Sequence, residues 1–341
     1  MTSIPTTSIF NWIGGKKWLT NDIQDKTDLL KDKDIEVYIE PFVGGLGSFR
    51  AIYPLLAQKK VKKIILNDVN SLIIKTFNEI KNNHEELIVE YKKIVKSYIS
   101  TFNKDKKKTK KYDTKSKSFI SGEYSYTELN KTKDKIVLKE LFLQDSNKFY
   151  KDIKSKFNKE KLIGNITTET IAQFLFLMTN CFNGVYRENG KGEFNTPYNW
   201  NNKPELGLNK ISILKEYNQF FNLVNIEFRN EDVFDLLNEY KEISNVFIYL
   251  DPPYFNKDGN ENKYNKNHFG YDQQIQLINI TDYFYYTLYS NHYEDFLIKK
   301  FKDNKDFSYE FKEVKRKNIM SSKKETRSED KSEMILLKIK D

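Results

Sequence analysis

The stretch Ile35-Glu36-Val37-Tyr38-Ile39-Glu40-Pro41-Phe42-Val43-Gly44-Gly45-Leu46-Gly47-Ser48 decides the fold. Its opening residues alternate as a strand does and end on an acid, Glu40. A proline and a glycine cluster then break the strand, and helical spacing runs from Ser48 to about Gln58. Ile64-Ile65-Leu66 follows as a short buried strand ending at Asn67-Asp68. It gives way to an amphipathic helix carrying Leu72, Ile73, Phe77 and Ile80. Strand, glycine turn, helix and strand with a terminal acid form the βαβ pattern of a nucleotide-binding sheet.

Working outward, further strands are expected at 225–228, 246–250, near 284–289, at 307–314 and at 334–339, with a helix at 293–301. About seven strands alternating with helices predict a doubly wound, Rossmann-like α/β sheet. Apolar helical spacing also appears at Ile171, Phe174, Leu175, Leu177 and Met178. After it, a Gly/Asn-rich stretch from Asn180 to Pro204 is too long for a simple turn and reads as a functional loop or hairpin. From about 92 to 145 the chain turns Lys/Ser/Thr-rich and periodicity fades, which suggests an inserted, partly mobile segment. The resulting division is 1–80 and 223–341 as two parts of one domain. Residues 81–222, containing the insert, form a smaller and mainly helical domain.

Composition narrows the function. The chain has 341 residues, 15% of them aromatic, which excludes a disordered polymer. One Cys and three His leave neither a disulfide framework nor a Cys/His zinc cluster, and no metal is expected. No apolar run reaches the ~18 residues of a membrane span, and the N-terminus lacks a basic signal region. A soluble, intracellular protein with no membrane partner is expected. No internal repeat is visible. Of the formal charge of +9, residues 91–165 hold 21 Lys against 9 acids, so the remainder is slightly acidic. That segment is either a solvated Lys-rich loop or a surface that attracts polyanions, and charge alone does not choose.

Three motifs carry chemistry. Asp251-Pro252-Pro253-Tyr254 follows the buried run Val246–Leu250, at the strand end where open α/β sheets bind ligands. Asp251 can accept a hydrogen bond from an exocyclic amine. The Pro252 carbonyl, aimed by two prolines, can accept the amine's other proton, and Tyr254 can stack on a planar base. The plain alternative is a proline-rich strand exit with a chance acid. Glu40 and Asp68 each close a strand near the glycine turn, and Asp68 stands 24 residues beyond Gly44, the spacing of ribose-binding acids. A simple helix cap at Asp68 would look the same. Trp12-Ile13-Gly14-Gly15-Lys16 reads as a turn with an edge aromatic or, beside the other two motifs, as a lid over a nucleoside.

Taken in order, these elements resemble the Dam-type DNA adenine-N6 methyltransferases, the D12 class with α-group motif order. Trp12–Lys16 matches W-x-G-G-K, Glu40–Gly44 matches E-P-F-x-G, and Asn67-Asp68 is the strand-end N-D. Cys181–Arg187, continuing through Gly192–Pro197, matches the target-recognition stretch, and Asp232-Val233-Phe234 precedes Asp251–Tyr254. Ser290-Asn291-His292 and the segment from Ser321 to Arg327 resemble the family's C-terminal strands. Only about 92–145 lies outside the match. The resemblance implies a methyltransferase sheet with a target-recognition domain containing a hairpin. Its cosubstrate would be S-adenosylmethionine, contacted by Trp12, Lys16, Asp68 and Asp251, with Glu40, Phe42, Gly44 and Asp232 in the same pocket. It further implies that Phe182 enters the base stack, that Val185 and Arg187 contact bases, and that Pro197 contacts the groove. The implied partners are double-stranded DNA and, for a restriction-linked member, a cognate restriction endonuclease. The enzyme would work in the cytoplasm or nucleoid, or as a viral protein in its host. Three positions depart from the pattern: Leu46 stands where a glycine is usual, Asn11 where several members carry Lys, and Glu188 where an aromatic follows the recognition Arg.

These residues suit methylation of adenine N6 in a flipped-out base. Hydrogen bonds to Asp251 and Pro252 would hold the amine and stabilise its developing positive charge. Cytosine-C5 chemistry needs a nucleophilic Cys, conventionally after Pro, and Cys181 follows Asn180. The expected recognition sequence is GATC or a related short palindrome. The competing readings are a DNA-binding module that has lost catalysis and a methyltransferase acting on RNA or on a protein glutamine.

Overall fold

The computed structural model describes residues 3–12, 14–102, 107–113, 115–116, 118–131, 142–201, 206–254, 269–317 and 330–340. It divides into two compact units. The first comprises 1–6, 14–74 and 220–341, and the second 7–13 and 75–219. The structure differs in assigning Thr7–Ile13 to the second unit.

The first unit is built on a sheet of seven strands. These are β1 (Val37–Glu40), β2 (Lys63–Asn67), β5 (Ile226–Arg229), β6 (Val246–Leu250), β7 (Tyr286–His292), β8 (Phe307–Lys317) and β9 (Asp330–Lys340). Their order is β5-β2-β1-β6-β7-β9-β8. The first five run parallel, and β9 pairs antiparallel with both β7 and β8. Parallel strands covered on both faces read as unbroken apolar runs, and every residue of β6 is buried. Ile39, Ile65, Ile248 and Leu250 share one core cluster with Leu236, Leu237 and Leu277 from the crossover helices. At ~1.5–3 kcal/mol for each large side chain, such burial supplies most of the driving force. The order reverses between β1 and β6, so Glu40 and Asp251 sit at the crevice where a doubly wound sheet binds ligands.

The second unit is mainly helical. Helices His84–Ser100 and Thr168–Asn180 pack together, and Leu143–Leu162 packs on the latter. The first of these corrects the expected start of the insert at 92. Leu87, Ile88, Tyr91, Ile94, Val95 and Tyr98 keep helical spacing across that point, and all are buried. Lysines on the solvent face dilute the composition without interrupting the helix. Likewise Leu143–Leu162 begins before 145. Between them stands an antiparallel pair, β3 (Lys107–Asp113) and β4 (Ser118–Tyr124). The stretch after Asn180 is a hairpin loop, closed by bridges Cys181–Tyr198 and Glu188–Phe194 and by Phe182 N–H donating to the Pro197 carbonyl at 2.8 Å. Residues 321–327, matched above to a C-terminal element, lie outside the described residues.

Candidate active site

Asp251 emerges at the end of β6, where the following proline restricts it to extended backbone. Pro252 and Pro253 offer no N–H to a neighbouring strand, so the chain leaves the sheet there. Gln274, fully buried, donates to the Pro253 carbonyl at 2.8 Å and accepts from Tyr289 Oη at 2.8 Å. Asn291 donates to the same Tyr289 oxygen at 2.7 Å. A polar layer from β7 and the Tyr271–Ile280 helix thus pins the turn from below, with its members satisfied by one another.

Above that layer a charged network closes around Lys16. Its ammonium sits 2.7 Å from Asp251 Oδ1, donates to Tyr254 Oη at 2.5 Å and to the Gly14 carbonyl at 3.1 Å, and is only 2% exposed. Ser290 Oγ donates to the same Asp251 oxygen at 3.1 Å. Tyr254 Oη donates onward to Glu333 on β9 at 2.8 Å, and the His292 ring lies 4.1 Å from the Tyr254 ring. Desolvation raises the Asp251 carboxyl above its ordinary value, while Lys16 and Ser290 pull it down. The outcome is a buried carboxylate held by one cation. Glu333 was not legible in the sequence, because 79 residues separate it from Tyr254 and no local pattern marks it.

The glycine turn lies beside this network. Gly44 (φ +48°) and Leu46 (φ +65°) both adopt left-handed backbone. Leu46 therefore takes the conformation for which glycine is favoured, at a cost of ~1–2 kcal/mol. Its side chain is fully buried, and that burial offsets the cost. Gly47 packs closely on the neighbouring backbone: a Cβ there would stand 3.2 Å from the Lys16 backbone nitrogen. Asp68 closes the turn from β2, accepting the Gly44 N–H at 3.0 Å and the Asn70 N–H at 2.9 Å. Desolvation raises its carboxyl to about 6 against those two donors. Glu40 lies deeper. It is fully buried, accepts from Tyr38 Oη at 2.7 Å and from Ser48 Oγ, and desolvation pushes its carboxyl up to about 8. Phe42 meets Phe269 edge-on at 5.7 Å, and Phe269 stacks on Phe234 at 6.3 Å. Asp232 caps the helix Val233–Tyr240 through the Phe234 N–H at 2.8 Å and is otherwise exposed.

The structure thus gathers Lys16, Asp251 and Tyr254 by direct contact and sets Gly44 against Asp68. Glu40 supports the turn from inside. Trp12 is placed in the second unit, where its ring stacks on Tyr186 at 5.1 Å and 20°. In that unit's hairpin Phe182 is 52% exposed, Arg187 and Pro197 are exposed, and Val185 is half-buried. Arg187 Nε donates to Asn195 Oδ1 at 2.8 Å, which orients the guanidinium. Glu188 is turned to internal use: Tyr186 Oη and Lys161 Nζ donate to it at 2.5 and 2.6 Å. Asn11 lies against the same hairpin, its Nδ2 filling the space where a Gly184 Cβ would stand. Burial raises the Cys181 thiol to about 12, a poor nucleophile. Among the described residues no group of His, Cys, Asp and Glu is placed to hold a metal, and no helix is long and apolar enough to cross a membrane.

A doubly wound sheet bearing Asp-Pro-Pro-Tyr at its switch point, with an exposed hairpin in a separate helical unit, is a Rossmann-like methyltransferase fold. The chain belongs to the D12 class of N6 adenine-specific DNA methyltransferases, whose family model matches residues 12–328. It is 30% identical over 275 residues to the type II methyltransferase M.MjaIII of Methanocaldococcus jannaschii, covering 78% of this chain and 76% of that protein. It is 24% identical over 279 residues to the DNA adenine methylase of Escherichia coli K12, covering 81% and 75% respectively. The viral type II methyltransferase M.CviBI of Paramecium bursaria Chlorella virus NC1A shares 24% over 279 residues, with 80% and 76% covered.

Proposed function

We propose that this protein transfers the methyl group of S-adenosylmethionine to N6 of an adenine flipped out of duplex DNA, within a short palindrome such as GATC. The observation that carries this reading is the Asp251-Pro252-Pro253-Tyr254 turn at the carboxyl end of β6, tied to Lys16. The residues beside it suit the cosubstrate. The turn 44–47 runs close against the Lys16 backbone at Gly47, Asp68 stands at the end of β2, and Phe234 and Phe269 stack with Phe42 edge-on to them as an apolar wall. Bound there, the cosubstrate supplies an electrophilic methyl on sulfur. Asp68 and the turn would hold its polar groups and the aromatic wall its adenine. Trp12 and Asp232 are assigned to the same ligand by motif order.

The protein's task is to make N6 a nucleophile. The amine's lone pair is delocalised into the purine ring. Donating its two protons to the Asp251 carboxylate and the Pro252 carbonyl draws the nitrogen toward tetrahedral geometry and stabilises the charge that builds during attack. Lys16 and Ser290 both occupy Asp251 Oδ1, so the entering amine meets the other carboxylate oxygen or displaces the ammonium. Tyr254 offers a stacking face worth ~1–3 kcal/mol against the cost of unstacking. In the second unit, Phe182 fills the vacated stack, while Val185, Arg187 and Pro197 read and position the duplex. Because some relatives are type II methyltransferases, a cognate restriction endonuclease is the proposed partner in the cell.

The test is expression in cells that lack adenine methylation, followed by sequencing with modification calling. N6-methyladenine confined to one short motif is expected. A folded protein that leaves the DNA unmodified and methylates RNA instead would overturn the substrate assignment.

A further inference from the structure

The pair β3–β4 belongs to none of the motif elements described above. It runs in unbroken register from Lys107–Tyr124 to Asp113–Ser118 and forms a sheet of its own. Asp113 closes its turn by accepting from Ser116 Oγ at 2.8 Å and from the Lys115 N–H at 3.1 Å. Lys110, Lys115, Ser118, Ile120, Ser121 and Glu123 are all exposed. None of the ribbon's described side chains is buried, and an isolated two-stranded ribbon is marginal in water without a covering surface.

Its composition indicates what would cover it. Residues 107–124 contain six Lys and two acids, and no Arg, Asn or Gln. Lysine is a mobile point charge suited to phosphate, whereas Arg, Asn and Gln make the bidentate contacts that distinguish base edges. The recognition hairpin is the reverse: residues 181–200 hold one Lys, one Arg and four Asn. A two-stranded ribbon also has the width that the major groove of B-DNA admits. We propose that the β3–β4 ribbon is a second, sequence-independent DNA-binding surface that grips the phosphate backbone. The inference rests on the reading of the protein as an enzyme of duplex DNA.

The test uses the full-length protein with Lys110→Gln, Lys111→Gln and Lys115→Gln combined. Binding to a duplex carrying the methylated motif and to an unrelated duplex is measured across a salt series. The slope of log affinity against log salt should fall by about 0.9 for each phosphate contact removed, hence by about 1 to 3. The loss should be equal on both duplexes, and the methylated motif should stay the same. Replacing the same lysines by Arg should preserve the wild-type slope, which separates lost charge from lost folding. An unchanged slope in the Gln variant, or a changed motif, overturns the ribbon's role while leaving the enzyme's function intact. A wild-type protein that binds structured RNA and no duplex DNA overturns the functional reading itself.

Discussion

The two units handle polar side chains in opposite ways. In the first, Lys16, Asp251, Tyr254, Ser290 and Glu333 are bonded to one another, and Lys16 is nearly inaccessible. In the second, the hairpin turns Phe182, Arg187 and Pro197 outward and keeps Glu188, Tyr186 and Lys161 behind them as a brace. The contrast fits the two tasks proposed above. Charge that develops on a transferred group is best stabilised by dipoles already fixed in a dry site, since no reorganisation is then needed. A base edge can be read only by groups left unpaired until the DNA arrives. By the same rule Glu188 should not disturb the proposed reading, because its carboxylate is already committed to Tyr186 and Lys161.

The sharpest way to break this comparison is Asp251→Ala. If the first unit carries chemistry alone, methyl transfer should fall by at least ~10²–10³, the usual loss for an electrostatic partner of the transition state. DNA affinity should stay near wild type in a gel-shift titration. A parallel loss of DNA binding would show that the network also shapes the recognition surface.

Burial in the first unit should also leave a trace in its stability. The Glu40 carboxyl titrates near 8 in the folded protein against 4.5 in an unfolded chain. Between those values the folded state keeps a proton that the unfolded state has released. The Glu40 contribution to stability is therefore fully present below about pH 4.5 and is lost as pH rises to about 8. Asp68, raised to about 6, adds a decline of the same sign at lower pH. Glu40→Gln keeps a neutral partner for Tyr38 and Ser48, so its melting temperature should fall less between pH 5 and 8 than that of the wild type. Parallel melting curves would mean that Glu40 is ionised when folded.

Arg187→Ala addresses the other side of the comparison. It should cost ~1–3 kcal/mol on the cognate duplex and relax the preference at one base pair. Turnover on saturating cognate DNA should be nearly unchanged. A uniform loss on all sequences would make Arg187 a phosphate contact instead.

Much of this architecture was readable from the chain, for identifiable reasons. Parallel strands buried on both faces give apolar runs such as Val246–Leu250, and the chemistry sits at their ends, where turn residues stand out. What stayed hidden depends on long-range or compensating effects. Nothing around Trp12 reveals that Thr7–Ile13 joins the helical unit, because the evidence is its stacking on Tyr186, more than 170 residues away. The ribbon β3–β4 is rich in Lys, Ser and Thr and shows no apolar period. Leu46 looked like a lapse in the glycine turn, yet its left-handed backbone is offset by the burial of its side chain.

Glu333 gives the smallest and finest test, because its bond from Tyr254 Oη places it one contact beyond the proposed site. Its carboxylate accepts from Tyr254 Oη while Lys16 donates to the same oxygen, so the phenol is held from both sides. Gln at 333 can still accept that hydrogen bond but loses the charge assistance, a difference of ~1 kcal/mol and thus a several-fold effect. A positioning role predicts that Glu333→Gln lowers kcat several-fold with little change in KM for DNA, and that Tyr254→Phe, which has no hydroxyl to position, makes the further change at 333 silent. If Glu333→Gln still slows the Tyr254→Phe enzyme, the carboxylate acts instead on Lys16 or on the sheet, and the network around Asp251 is wider than the contacts of Tyr254.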